Sequence, residues 1–159
     1  STLQHAGVTL GVAGVASHAF KYQPSDHLGY YALPHLVRNC SAVTAACAMV
    51  PKAVYEEIGG MRQELAVTFN DVDLCLRLQQ HGYRIIYTPH ARLYHYESKS
   101  RWLLPPRHEE KEYMIEHWEE AIENDRFYNR HLTRDWEDFS FDVRRAAEWV
   151  RETVERGEA

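Results

Sequence analysis

The sequence predicts an α/β fold that is followed by a helical C-terminal extension, and three observations carry this prediction. A helical apolar pattern at residues 71–80 is followed by the β-rich stretch 83–88. Residues 41–50 consist of small and β-branched side chains, which favour a buried strand. After residue 107, the apolar side chains recur at helical spacing.

Composition places the chain among ordinary globular domains. The 159 residues suffice for one hydrophobic core, and 45% hydrophobic with 26% charged residues argues against disorder. The net charge of −5 argues against nucleic-acid binding, which needs a basic surface. No apolar run approaches the roughly 20 residues of a membrane span. Association with the inner face of the membrane stays open.

The cysteines and histidines show no spacing typical of a metal site. Three cysteines without a CxxC pair indicate reduced, buried thiols in the cytoplasm. The ten histidines are scattered, and only His95 has neighbours that suggest a function.

The first half of the chain predicts short elements joined by a long loop. Residues 8–12 predict one strand, and the remainder of 1–38 predicts an irregular, functional or mobile loop. The strand at 41–50 follows. Pro51 then begins a short helix that Gly59 and Gly60 end.

The central stretch predicts a buried helix and two strands. Asn70 fits the N-cap, Asp73 the third helical position, and Gly82 the residue just beyond the helix. Apolar residues on several sides of 71–80 predict burial. Two strands, 83–88 and 91–96, are separated by Pro89, and His95 lies on one face of the second.

The last third predicts two helices, at 107–124 and 142–156. The second has an amphipathic stripe that fits packing either on the domain or on a partner. We therefore divide the chain into residues 1–104 and a helical extension, 105–159.

Three segments in order resemble the inverting family-2 glycosyltransferases. They are "SAVTAACAMVPKAVYEEIGGM", "FNDVDLCLRLQQHGYRIIYTPHARLYHYESKSR" and the later "W…DRFYNRHLT…DFS", within residues 3–141. The second is similar to the family pattern EDxDLxxRLxxxGYxxxYxPxAxxxHxESxSR, and the third resembles the tail of bacterial members that build surface polysaccharide. The resemblance implies an incomplete GT-A-like mixed sheet with packed helices.

The resemblance implies that Asp71 is the catalytic base of a sugar transfer with inversion. Such a displacement needs a base at the acceptor hydroxyl and a Lewis acid at the departing diphosphate. The alternative is that Asp71 only complements the helix dipole. Asn70 stands where the family more often has Glu, and we assign it to substrate binding. Asp73 is interpreted as a capping or structural acid, because the DxD spelling of 71–73 opens a helix.

The resemblance also implies a divalent-metal and diphosphate site around His95. This imidazole matches a family histidine that completes an Mn²⁺ or Mg²⁺ site, and the alternative is a histidine hydrogen-bonded within the strand. Ser98 and Arg101 are assigned to the nucleotide diphosphate, and Glu97 to substrate. Everything depends on Asp71 and His95 facing one open cleft.

The nucleotide-binding half of a GT-A domain has no counterpart in about 40 residues before Asn39. We therefore expect the acceptor-side, C-terminal half of an enzyme that uses a nucleotide-sugar donor and a glycan or lipid-linked acceptor. We expect this piece to be inactive alone, with weak nucleotide affinity, and exposed strand edges favour a homodimer. The alternative is a non-catalytic interaction or assembly module derived from such a half.

Overall fold

The computed structural model describes residues 1–95 and 107–157, and within them the predicted α/β class is confirmed. The strands are β1 (Val8–Leu10), β2 (Ala16–His18), β3 (Arg38–Asn39) and β4 (Ile86–Tyr87). The α-helices are α1 (Lys52–Glu57), α2 (Asn70–Gln80), α3 (His108–Glu123) and α4 (Val143–Glu155). Short 3₁₀ turns occur at Val12–Gly14, Tyr30–His35 and Ala45–Cys47.

The strands pair into two small antiparallel sheets. In the first, β1 pairs with β2, and Val8 lies opposite His18. In the second, β3 pairs with β4, so that Arg38 lies opposite Tyr87 across a long separation in sequence. An isolated bridge between Val8 and Ala42 brings the segment after β3 against β1. These pairings place residues 8–10, 38–42 and 86–87 near one another.

The main hydrophobic core lies between α2, α3 and β1. From α2 it takes Val72, Leu74, Cys75, Leu76 and Leu78, which confirms the predicted burial of this helix. From α3 it takes Met114, Trp118 and Ile122, at the spacing that the sequence predicts. A second cluster contains the stacked rings of Phe20 and Phe139, whose centroids are 4.4 Å apart. Helix α3 is thus an integral part of the main core.

The predicted strand at 41–50 is wrong. Thr44 caps a 3₁₀ turn at Ala45–Cys47 by accepting a hydrogen bond from Ala46 N, and this turn is exposed. Small side chains favoured a strand locally, but among the described residues only Ala42 of this stretch pairs with a strand, in its isolated bridge to Val8. Only Cys40, Ser41, Ala42 and Thr44 of this region are buried.

The second predicted strand is also wrong for the residues that the structure describes. Residues 91–95 are exposed and lack regular structure, so the strand face that we assigned to His95 does not exist. The stretch 83–88 contains β4 only at Ile86–Tyr87. The predicted N-terminal loop is wrong in part, because β2 forms a hairpin with β1 and Phe20 is buried.

Helix α2 begins one residue earlier than predicted. Asn70 is its first residue and not its N-cap; that position belongs to Phe69, which has φ 60° and makes no side-chain capping bond. The predicted C-terminal signal is confirmed, since Gly82 has φ 84°, a conformation that glycine adopts without strain.

Helix α4 is amphipathic but buries none of its residues. Asp142 caps it by accepting hydrogen bonds from the backbone N–H groups of Arg144 and Arg145. Its apolar side chains Val143, Val150 and Val154 are exposed, so they do not pack on the rest of the described chain.

The three cysteines are free. Burial raises the pKa of Cys40 to about 11 and that of Cys75 to about 12, so both thiols are protonated at neutral pH. Cys47 is exposed, and our prediction of its burial is wrong. Within residues 1–95 and 107–157, no helix is both long and apolar enough to cross a membrane.

Candidate functional site

Asp71 lies in the first turn of α2, where backbone donors hold both of its carboxylate oxygens. Oδ1 accepts a hydrogen bond from Val72 N at 2.9 Å, and Oδ2 accepts one from Ala45 N at 2.9 Å. The side chain is partly exposed, and no ion pair to it occurs among the described residues. Each oxygen keeps a further acceptor position, so the group stays available to a hydroxyl.

The turn that contacts Asp71 is held from its other side by His5. The Nε2 atom of His5 accepts a hydrogen bond from Thr44 N at 3.2 Å. Burial, with smaller contributions from nearby His18 and Arg38, lowers the pKa of His5 to about 3. The ring is therefore neutral at physiological pH and can act as an acceptor. Sequence reasoning missed His5, because no local pattern marks a contact across 39 residues.

His95 is exposed, and its orientation depends on Gln4. Its Nδ1 lies 2.8 Å from Gln4 Oε1, while the main-chain oxygen of Gln4 lies 3.1 Å from His18 Nδ1. A carbonyl oxygen can only accept, so Nδ1 of His95 is the donor in this bond, and the neutral ring with this tautomer has its lone pair on Nε2. Metal-binding histidines commonly donate their second N–H to a carbonyl in this way.

Two pairs of consecutive residues connect Asp71 with His95. Gln4 bonds to His95 and its neighbour His5 bonds to Thr44, whose neighbour Ala45 bonds to Asp71. The segment at residues 4–5 thus links the two predicted site residues through three hydrogen bonds. Whether both face one cleft stays a prediction.

Of the residues predicted to bind the metal and the diphosphate, the structure describes only His95. Within residues 1–95 and 107–157, no group of three His, Cys, Asp or Glu side chains is arranged to hold a metal. His95 offers Nε2 as a single ligand. Glu97, Ser98 and Arg101 lie outside the described residues, so their assignments stay predictions.

Asp73 occupies surroundings unlike those of Asp71. It is buried, accepts a hydrogen bond from Arg77 Nε at 2.8 Å, and accepts another from Trp118 Nε1 at 3.0 Å. Arg77 also donates to the main-chain oxygens of Ile58 and Gly60. The interpretation of Asp73 as a structural acid therefore agrees with its contacts. Asn70 is partly buried, and its assignment to substrate stays a prediction.

More than half of the chain, residues 24–111, matches the sequence model of the family described as "Glycosyltransferase like family 2". The chain belongs to this family. The resemblance that the central segment indicated is therefore confirmed. The mixed α/β architecture, with its small antiparallel sheets and packed helices, fits an incomplete GT-A-like fold.

Two curated relatives of this family-2 chain are much longer than it is. An uncharacterized protein, y4gI, of Sinorhizobium fredii (strain NBRC 101917 / NGR234) is 40% identical over 86% of this chain and 16% of its own length. The O-antigen biosynthesis protein RfbC of Myxococcus xanthus is 39% identical over 63% of this chain and 8% of its own length. The chain thus spans less than a fifth of either relative. No solved structure matches it.

Proposed function

We propose that this chain contributes the acceptor-side catalytic carboxylate of a glycosyltransferase, and that Asp71 is the base. The observation that carries the proposal is the state of this side chain. It is partly exposed, fixed by two backbone N–H groups, and free of a cation partner among the described residues. Membership of the family supports glycosyl transfer in general.

The proposed reaction is one displacement with inversion. Asp71 accepts the proton of the acceptor hydroxyl while the hydroxyl oxygen forms a bond to the anomeric carbon. The bond from that carbon to the diphosphate oxygen breaks, and the diphosphate leaves with the electron pair. Because two backbone N–H groups fix the carboxylate, it meets the hydroxyl with little loss of orientation entropy.

The donor in this proposal is a nucleotide sugar, and the acceptor is a glycan or a lipid-linked glycan. The name of the Myxococcus xanthus relative, an O-antigen biosynthesis protein, supports a surface polysaccharide as the product. A bound Mn²⁺ or Mg²⁺ ion would stabilise the charge of the departing diphosphate. His95 would supply one ligand, and Arg101 and Ser98 would contact the phosphate oxygens. A cytoplasmic location, contact with the inner membrane face, and a homodimer remain predictions.

The experiment is a transferase assay of the full natural protein against a panel of nucleotide sugars, with Mn²⁺ or Mg²⁺ present. We expect Asp71→Asn to lower turnover by roughly 10²–10⁴-fold, the usual contribution of a positioned base. Glu120→Gln, at an exposed carboxylate of α3, is the matched control and should retain activity. Normal turnover of folded Asp71→Asn would remove Asp71 from the mechanism.

The second candidate function is a non-catalytic assembly module, and one observation favours it. The apolar stripe of α4, with Val143, Val150 and Val154, is exposed to solvent. In this case Val150→Asp should abolish association with a partner protein, measured by co-purification, while Asp71→Asn leaves the biological activity of the full-length protein intact. Loss of biological activity in Asp71→Asn but not in Val150→Asp would favour the enzyme over the assembly module.

A further inference from the structure

Glu110 is a buried carboxylate whose hydrogen bonds all reach back to one short loop. It lies in the first turn of α3 with 1% of its surface exposed. It accepts hydrogen bonds from Val67 N at 2.8 Å, from Thr68 N at 2.9 Å and from Thr68 Oγ1 at 2.5 Å. Burial alone would raise the pKa of Glu110, but these hydrogen bonds, together with the nearby charge of Arg107, lower it overall, so the group is ionised at neutral pH.

The loop that Glu110 binds leads directly into the turn that carries Asp71. Phe69 follows Thr68 and has φ 60°, a left-handed conformation that costs a non-glycine residue free energy. The main-chain oxygen of Phe69 accepts the hydrogen bond from Asp73 N that closes the first turn of α2. Surrounding contacts must maintain such a conformation, and the three bonds to Glu110 hold the two residues immediately before Phe69.

We propose that Glu110 is a positioning residue that fixes the start of α2 and thereby holds the Asp71 carboxylate against Ala45 N. The inference rests on the proposed function only for its catalytic consequence. The placement itself is a statement about Glu110, residues 67–69 and Asp71. The alternative is that Glu110 stabilises the protein without any effect on where Asp71 lies.

Amide hydrogen exchange at Ala45 separates these two possibilities. Ala45 is exposed, and its N–H donates to Asp71 Oδ2, so its protection reports the position of that carboxylate. In the full-length protein we expect Glu110→Gln to speed exchange at Ala45 by about tenfold, because the amide NH₂ cannot accept from Thr68. Asp71→Ala calibrates the complete loss of that bond.

Two further variants keep the test decisive. Thr68→Val removes a single donor to Glu110 and preserves side-chain shape, so it should fold and speed exchange at Ala45 by a smaller factor. Tyr128→Phe is the control, since it removes a buried hydrogen bond to Thr133 O in the second core cluster. It should lower the free energy of unfolding. Exchange at Ala45 should change only as far as global unfolding becomes more frequent. Unchanged exchange at Ala45 in both Glu110→Gln and Thr68→Val would overturn the inference.

Kinetics then connect placement with catalysis. We expect Glu110→Gln to lower kcat with little change in the KM for the donor, because the donor does not contact Glu110 in the proposed site. If Asp71→Asn retains turnover, the proposed function fails, while the exchange at Ala45 still decides whether Glu110 places Asp71. If the exchange rate rises but kcat stays normal, the catalytic consequence is overturned.

Discussion

Asp73 and Arg77 form an ion pair within α2, with 2.8 Å between Oδ2 and Nε and with both side chains buried. The pair does more than neutralise charge inside the helix. Arg77 also donates to the main-chain oxygens of Ile58 and Gly60, and Asp73 also accepts from the Trp118 indole. One buried pair therefore joins the end of α1, the helix that carries Asp71, and α3.

Arg77→Met is expected to lower the free energy of unfolding by about 3–5 kcal/mol. It leaves Asp73 buried without its cation and deprives two main-chain oxygens of donors. Urea unfolding measures the change. Lys52→Met is the control, because the exposed pair of Lys52 and Glu56 should contribute less than about 1 kcal/mol. Equal losses in the two variants would show that the buried network does not stabilise the fold.

His5→Gln is expected to flatten the acid dependence of stability. The pKa of His5 is lowered from 6.5 to about 3 in the folded protein, so the unfolded chain binds the proton first as pH falls. Its contribution is complete above pH 6.5 and is lost progressively as pH falls towards 3. Gln retains an acceptor for Thr44 N but does not titrate. Unfolding free energies measured from pH 7 to 4 should fall less steeply in the variant. An unchanged slope would show that His5 is not responsible.

Gly11→Ala is expected to destabilise the protein more than Gly82→Ala does, by at least about 1 kcal/mol. Both glycines have positive φ, so both substitutions incur the cost of a left-handed alanine. At Gly11 the added Cβ would also lie 2.5 Å from the main-chain oxygen of Ile122, whereas at Gly82 it meets nothing within 4 Å. Thermal unfolding of the two variants provides the comparison. If Gly11→Ala lost less stability than Gly82→Ala, Gly11 would not lie as close to Ile122 of α3 as the structure places it.

Gln4→Ala is expected to weaken Mn²⁺ binding to the full-length protein by roughly 10–100-fold, provided that His95 is a ligand. Without Gln4 Oε1, the His95 ring loses the contact that fixes its tautomer and orientation. Calorimetry with Mn²⁺ alone measures the affinity. His95→Ala should weaken binding at least as much, and Gln4→Glu, which retains an acceptor, should weaken it less. Wild-type affinity in His95→Ala would remove this residue from the metal site.

The helices could be predicted from local sequence because the signals that define them are local. Pro51, the apolar spacing of residues 72–78 and Gly82 specify where α1 and α2 begin and end within a residue or two. The same holds for α3, whose buried Met114, Trp118 and Ile122 follow the helical period.

The surroundings of the candidate site could not be predicted in this way. The turn at Ala45–Cys47 replaced a predicted strand because Asp71 and His5 bond to its start, and these residues lie 26 and 39 positions away. Residues 91–95 alternate as a strand does, yet among the described residues no strand pairs with their backbone. Glu110 resembles an ordinary acidic residue of a first helical turn, and nothing near it in sequence indicates its bonds to residues 67 and 68.

The contacts of residues 4–5 and of α3 also set a practical limit on transplanting this site. The region that matches the family, residues 24–111, contains Asp71 but excludes Gln4, His5 and most of α3. A chimera exchanged at those borders would contain the Asp71 carboxylate. The recipient protein would supply the residues that contact residue 44 and the remainder of the helix that begins at 108. A graft of this region should therefore carry residues 1–123 as one block.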